Sequence, residues 1–207
     1  MATSTVVQLL GHSAALVIGG QATILVDPGS WSARPEPEEY DAIFVTHGHP
    51  DHLDPPWVLA AGKPVWGPAD VLDLLRQAGA DPALLNLVTP GTACEVGDLR
   101  VEAFASTHAE IAPQIPLPSN LAYLFNGVVL HPGDSFPRLP HAERVLELLT
   151  PIAGPWCRIA DAVAFVKYYP NARVLPIHHA VLNDDGLALA ARVLANSLPG
   201  REIAPVD

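Results

Sequence analysis

The stretch FVTHGHPDHLD, Phe44 to Asp54, carries three histidines and two aspartates within the eight residues from His47 to Asp54. It continues a short apolar run, Ala42–Val45, that reads as a strand. The loop therefore starts where a strand ends. Its spacers are Gly48 and Pro50; glycine permits a sharp turn and proline fixes the next bend. In such a loop His47 and His49 can approach one metal ion from the same side. Asp51 and His52, further round the bend, can reach a second. Neutral imidazole and carboxylate are ligands that suit zinc, manganese or iron. A lone His-x-His carries little weight, because histidines on surface loops are common and usually inert. His-x-His-x-Asp-His at a strand end is strong evidence, since a solvated loop has no reason to collect three imidazoles.

Upstream of this loop the chain reads as strands and turns. Val6–Leu10 ends at Gly11, Ala14–Ile18 ends at Gly19-Gly20, and Ala22–Val26 follows at hairpin distance. Asp27–Gly29 (DPG) reads as a turn, and Arg34–Tyr40 as a polar loop broken by proline. Downstream, Pro56–Ala61 and Pro68–Ala78 read as helices, the second stopped by Gly79. Strands are expected over Lys63–Trp66, Leu85–Val88, Ala93–Val96 and Leu99–Ala105. Asn126-Gly127 is a strong hairpin signal between Leu121–Phe125 and Val128–His131. Val145–Leu149 reads as a strand or a helix end, Ile159–Tyr169 as a helix, Arg173–Ile177 as a strand and Leu187–Leu198 as an alanine-rich helix. Strands and helices interleaved in this way imply sheets packed inside helical layers. With 207 residues, one domain spanning 1–207 is the expected organisation.

A four-ligand loop needs completing from elsewhere, and other strand ends offer the residues. His108 follows Leu99–Ala105, Asp134 follows Val128–His131, and His178 and His179 follow Arg173–Ile177. Neighbours on an extended chain face opposite ways, so one of His178 and His179 is expected at the site. Further candidates carry less signal. His12, in GHSA, ends or follows the first strand and reads either as a residue facing the site or as a hydrogen-bonded turn histidine. His131 is read as supporting the loop that holds Asp134, and Arg158, at a helix start, as an anchor for a substrate anion or an ordinary surface arginine. Trp156 and Asn120 are candidates for the pocket wall, and His141 reads as a surface residue.

The composition narrows the function. The formal charge is -11, from 11 Lys+Arg against 22 Asp+Glu. Such a surface repels nucleic acid and anionic membranes at long range. No apolar run approaches the roughly 18 residues of a membrane span. The N-terminal MATSTVVQLLGHS has no basic region before its apolar stretch, so it reads as mature sequence. Cys94 and Cys157 are too few for a disulfide framework and read as reduced thiols of a cytoplasmic protein. Homo-oligomerisation is left open.

Taken together, THGHPDH, the later His108, HPGDS and PIHH resemble the ordered motifs of the metallo-β-lactamase superfamily. The likeness runs from Gly11 to the last helix. Within it, GHSA, PGD and PIAGPW…IADA…PIHHAVL most resemble a branch of small metal-dependent hydrolases similar to ascorbate-6-phosphate lactonase. The resemblance implies an α/β (α+β) fold, a four-layer αββα sandwich, with two divalent metals at one edge of its sheets. It implies that His47, His49 and His108 hold the first metal, that Asp51, His52 and His178 hold the second, and that Asp134 bridges them. His178 is preferred to His179 because it directly follows the strand. Zinc is the first expectation, with manganese and iron as alternatives.

The expected activity is hydrolysis of an ester, lactone or phosphoester in a small, anionic substrate, by a hydroxide shared between the metals. Asp51, or the metal-bound water itself, is the candidate for passing a proton to the leaving group. No insertion is large enough for a substrate-recognition, flavin or nucleic-acid domain. Two alternatives stand beside this reading: a phosphodiesterase or nuclease of the same fold, and a metal-binding protein without turnover.

Overall fold

The computed structural model describes residues 5–206. Met1 to Ser4, the start of the segment read as mature sequence, lie outside the described residues, as does Asp207. Two mixed six-stranded sheets carry the chain. The first sheet runs in sequence order: β1 (Val6–Leu9), β2 (Ala15–Ile18), β3 (Thr23–Val26), β4 (Ala42–Phe44), β5 (Val65–Gly67) and β6 (Leu85–Leu87). Its first two pairings are antiparallel, and those from β3 to β6 are parallel. Helices α1 (Pro55–Ala61) and α2 (Ala69–Gln77) supply the crossovers among the parallel strands after β4.

The second sheet has the order β12-β11-β10-β9-β8-β7. It comprises β7 (Ala93–Val96), β8 (Leu99–Ala105), β9 (Leu121–Phe125), β10 (Val129–His131), β11 (Glu147–Pro151) and β12 (Arg173–Ile177). From β7 to β10 the strands are antiparallel, and β10, β11 and β12 are parallel. Helices α3 (Ile159–Tyr168) and α4 (Asp184–Ser197) pack outside this sheet.

Three apolar layers explain the stacking. Val17, Ile24, Phe44, Val101, Tyr123 and Leu175 belong to one cluster between the sheets. Leu25, Ile43, Trp57 and Leu75 join the first sheet to α1 and α2. Leu130, Leu148, Phe165 and Leu194 join the second sheet to α3 and α4. The order is therefore helices, sheet, sheet, helices, as the αββα expectation has it. Alternation in β8 serves this packing: Leu99, Val101 and Ala103 are buried, with Arg100 and Glu102 between them more open.

Of the boundaries that differ from the sequence reading, two have a physical reason visible in the structure. β11 is a strand, fully paired with β12 through five residues. It is buried along most of its length, so its apolar run has no period by which to distinguish strand from helix. α4 begins at Asp184, three residues before its apolar pattern starts. Asn183 caps it by accepting from the Gly186 N–H at 2.9 Å, and Asp184 and Asp185 suit the positive end of the helix dipole.

The strand directions bring the candidate ligands together. β1, β3 and β4 run the same way, so residues after each of them emerge at one rim of the first sheet. β8, β10 and β12 likewise share a direction, and their carboxyl ends lie along one rim of the second. His12, Asp27, the His47–Asp54 loop, His108, Asp134 and His178 all come after these strands.

Candidate metal centre

The loop after β4 turns back on itself, with the His52 and Leu53 amides both donating to the His49 carbonyl at 2.9 and 2.8 Å. Asp54 ends it as the cap of α1, accepting from the Trp57 N–H and pairing with Arg34. Gly48 does not serve the sharp turn expected of it, since it is not among the residues with positive φ. α2 lies close to it: a Cβ there would sit 2.7 Å from the Leu74 methyl, the end of a side chain that can shift. Gly29 is more tightly confined, as its Cβ would lie 1.8 Å from the Asp51 carbonyl oxygen. Backbone cannot move aside as a flexible side chain can. Gly29→Ala is therefore expected to destabilise the fold by about 1–3 kcal/mol or more, read as a lower urea midpoint, and to displace Asp51. An unchanged midpoint would show that the two loops need not touch.

Two groups of donors lie close enough to hold a cation each: His47, His49, His108 and Asp134, and His12, Asp51, His52 and His178. The seven residues of the expected ligand set thus converge, although they span both sheets. In the first group His49 Nδ1 is 3.1 Å from His47 Nε2 and 3.2 Å from His108 Nε2. Tetrahedral zinc, with bonds of about 2.0–2.1 Å, holds its nitrogen ligands roughly 3.3 Å apart. The hydrogen bonds also fix the tautomers. His108 Nδ1–H donates to the Ala109 carbonyl at 2.7 Å. Thr46 donates its hydroxyl to Asp27 at 2.7 Å, so it accepts from His47 Nδ1–H at 3.0 Å. Both Nε2 atoms are left with lone pairs facing His49. At most one proton can be shared within that triangle, and a cation at its centre satisfies all three nitrogens.

In the second group His52 Nδ1–H donates to Asp27 Oδ2 at 2.7 Å, turning Nε2 towards the cluster. His178 Nε2 lies 3.2 Å from Asp51 Oδ2. His52 Nε2, both ring nitrogens of His178 and Asp134 Oδ1 are buried without hydrogen-bond geometry. Buried polar atoms left in that state call for a partner. Asp134 lies between the groups. Its Oδ1 is 2.9 Å from His52 Nε2, and its Oδ2 is 3.2, 3.3 and 3.7 Å from the Nε2 atoms of His178, His108 and His47.

The electrostatics favour cation binding. Burial, then the charge of His52, holds His47 well below the ordinary imidazole range. Burial and His108 lower His49 in the same way. These rings are neutral, as ligands must be. Burial works against charge on His52 and His178 too, but Asp134 outweighs it, with Asp27 at His52 and Asp51 at His178, and both rings are raised. The carboxylates thus demand positive charge here, which a divalent ion would supply in place of those protons. Burial alone would raise Asp51 and Asp134, yet the surrounding histidines hold both far down.

Asp27 is the residue that sequence reasoning misses. The sequence presents it as part of a turn, but it is fully buried at the end of β3 with φ 49°. It accepts from the Thr46 N–H and hydroxyl and from His52, each at 2.7 Å. One carboxylate therefore orients His47 through Thr46, and His52 directly. Its available signal is position: an aspartate ending a strand next to the histidine strand.

The remaining candidates separate cleanly. His131 is buried and supports the loop of Asp134: the Gly133 N–H donates to its Nδ1 at 3.2 Å, and its Nε2 reaches the Ser13 carbonyl at 2.9 Å. Asn120 ties the same loop, its amide donating to the Ser106 and Pro132 carbonyls and its oxygen accepting from the Asp134 N–H. Trp156 sets its ring 5.9 Å from that of His108 and 5.4 Å from that of His178. His178 ends β12 with φ 64°, which turns its side chain into the cluster. His179 is half-buried, outside both groups, with its ring 6.5 Å from that of His12. Arg158 is 81% exposed, and its guanidinium is held by Asp161 through two hydrogen bonds at 2.7 and 2.9 Å. That pairing places it at the exposed start of α3, beside Asp161. Cys94 and Cys157 are free thiols, and burial pushes Cys157 up to about 12.

No helix among the described residues is long and apolar enough to cross a membrane. A family model described as "Beta-lactamase superfamily domain" matches residues 6–178. Protein Rv0786c of Mycobacterium tuberculosis is 36% identical over 190 residues, covering 84% of either chain. The UPF0173 metal-dependent hydrolase Ta0764 of Thermoplasma acidophilum is 27% identical over 184 residues, 82% of this chain and 80% of its own. Among solved structures, the metallo-beta-lactamase fold protein YhfI of Bacillus subtilis aligns with a TM-score of 0.72 at 19% identity, over 96% of this chain and 94% of that one.

Proposed function

Because this chain belongs to the metallo-β-lactamase superfamily, we propose that it is a metal-dependent hydrolase working through two divalent cations. His47, His49 and His108 would hold one cation and Asp51, His52 and His178 the other, with Asp134 placed between the two groups. The observation that carries this reading is the Asp134 carboxylate, within 3.7 Å of histidine nitrogens from both groups. Relatives named as metal-dependent hydrolases support the reaction class. Two such cations would supply a Lewis acid for the scissile group's oxygen and a water acidic enough to attack near neutral pH.

The chain's own residues do the rest. Asp27 and Thr46 hold His47 and His52 in the tautomers that present Nε2. Asp51, with 15% of its side chain exposed, is the carboxylate placed to take up the attacking water's proton and pass it to the leaving group; Asp134 is 2% exposed. Asp51 and Asp134 together offset only half of the roughly four positive charges of a divalent pair. The site then attracts an anionic ester, lactone or phosphoester despite the acidic surface. Lactones are included because GHSA and PIHHAVL resemble motifs of the branch similar to ascorbate-6-phosphate lactonase.

The test is metal analysis beside a panel of model lactones, carboxylic esters, thioesters and phosphodiesters, with and without chelator. About two equivalents of zinc or manganese per chain are expected, with turnover that chelator abolishes and metal restores. Metal uptake without turnover on the whole panel would favour a binding protein. Turnover confined to phosphodiesters would favour the nuclease-like alternative.

A further inference from the structure

One donor in the second group, His12, has no place in the proposed ligand set, yet it lies within ligand distance of Asp51, His52 and His178. Its hydrogen bonds decide what it can do. The Ala180 N–H donates to His12 Nδ1 at 3.2 Å. A ring nitrogen that accepts carries no proton, so the proton of the neutral ring is on Nε2. Nε2 lies 3.0 Å from Asp51 Oδ2, an acceptor. With one nitrogen accepting and the other donating, the ring has no lone pair left for a cation. We propose that His12 is a positioning residue and not a ligand: it donates from Nε2 to Asp51 and fixes the direction in which that carboxylate meets its metal. The inference rests on the reading that Asp51 is a ligand.

The surroundings make His12 and Ser13 a clip between segments that converge from distant parts of the chain. The His12 carbonyl accepts from the His178 N–H at 2.6 Å. The Ser13 hydroxyl donates to the Asp51 carbonyl, and the Ser13 carbonyl lies 2.9 Å from His131 Nε2. His12 is 1% exposed, and Trp31 lies edge-on to its ring at 4.9 Å while remaining 53% exposed itself. Two residues after β1 thus hold the loops of Asp51, His178 and Asp134 at fixed spacing. Ligand carboxylates are commonly oriented by such partners, whose loss typically weakens metal binding by about 10–100-fold.

Glutamine and asparagine separate the two roles. A glutamine amide reaches the place of Nε2 and can donate to Asp51. Asparagine reaches only the place of Nδ1 and can accept from Ala180. Metal-stripped wild type, His12→Gln and His12→Asn would be titrated with cobalt(II), following visible absorption and bound metal. Wild type is expected to bind two ions. His12→Gln should bind both within about threefold of wild type, while His12→Asn loses about 10–100-fold in affinity for one ion only. Failure of wild type to take up a second ion would instead sink the two-metal reading itself. Equal losses in both variants, with absorption shifted towards lower coordination number, would make His12 a ligand and overturn the proposal. No loss in either variant would also overturn it. A measurement on the wild-type protein avoids any folding defect: nitrogen-15 spectra of the zinc-loaded form should show His12 protonated at Nε2. A bare Nε2 there would refute the proposal.

Discussion

Replacing Asp134 by alanine is expected to reduce bound metal from two ions per chain to one or fewer. Turnover should fall on the order of 10²–10³-fold, the scale of losing one preorganised electrostatic group. The carboxylate is 2% exposed and faces four histidines from two sheets, with Oδ1 towards His52 and Oδ2 towards His178, His108 and His47. Among the described residues no neighbouring acid duplicates it: Asp51 reaches His178 and His52, at 3.2 and 3.9 Å, but is not among the donors grouped with His47 and His108. Asp134→Asn keeps the shape and removes the charge, so it should retain more folded protein while losing the second ion. Metal analysis of both variants, beside the activity panel, gives the check. An Asp134→Ala protein with two ions and full activity would remove the bridging role.

The second large effect is expected at Asp27, which touches no proposed metal position. Asp27→Ala strands the Thr46 N–H and hydroxyl and His52 Nδ1 in a fully buried setting. Removing one partner of a buried charged network costs about 3–5 kcal/mol. Urea unfolding of metal-free protein should show that loss, and metal titration should show both ions weakened, because His47 and His52 belong to different groups. Asp27→Asn tolerates the left-handed backbone at φ 49°. Its single amide oxygen cannot replace both carboxylate oxygens, and its NH₂ would confront a donor. It should therefore fall between alanine and wild type. Unchanged stability and unchanged metal affinity in Asp27→Ala would show that the network does not orient the histidines.

Much of this arrangement is legible in the sequence, because its strongest signals are local. The HGHPDH loop, the alternation of Leu99–Ala105 and the Asn126-Gly127 hairpin each declare themselves within a dozen residues, and β7, β8, β9 and β12 match the expected bounds. The hidden parts depend on neighbours distant in the chain. Asp27 reads as a turn residue until β3 is seen parallel to β4, which brings it against His52, 25 residues on. Gly48 reads as a source of backbone freedom, but its φ is not positive, so the loop does not use that freedom. The capped start of α4 is hidden by its polar first turn, where Asn183 to Asp185 resemble loop composition. His12 reads from sequence equally as a residue facing the site or as a turn histidine, and its tautomer depends on the Ala180 N–H, 168 positions away.

The carboxyl ends of β1, β3 and β4 and those of β8, β10 and β12 all feed this cluster, each trio from its own sheet. Bound ions would then act as rivets between the two halves of the sandwich as well as reagents. Chelation should leave that margin joined by the greasy interlayer and by hydrogen bonds such as those of His12 and Ser13, so that it loosens while the opposite margin stays shut.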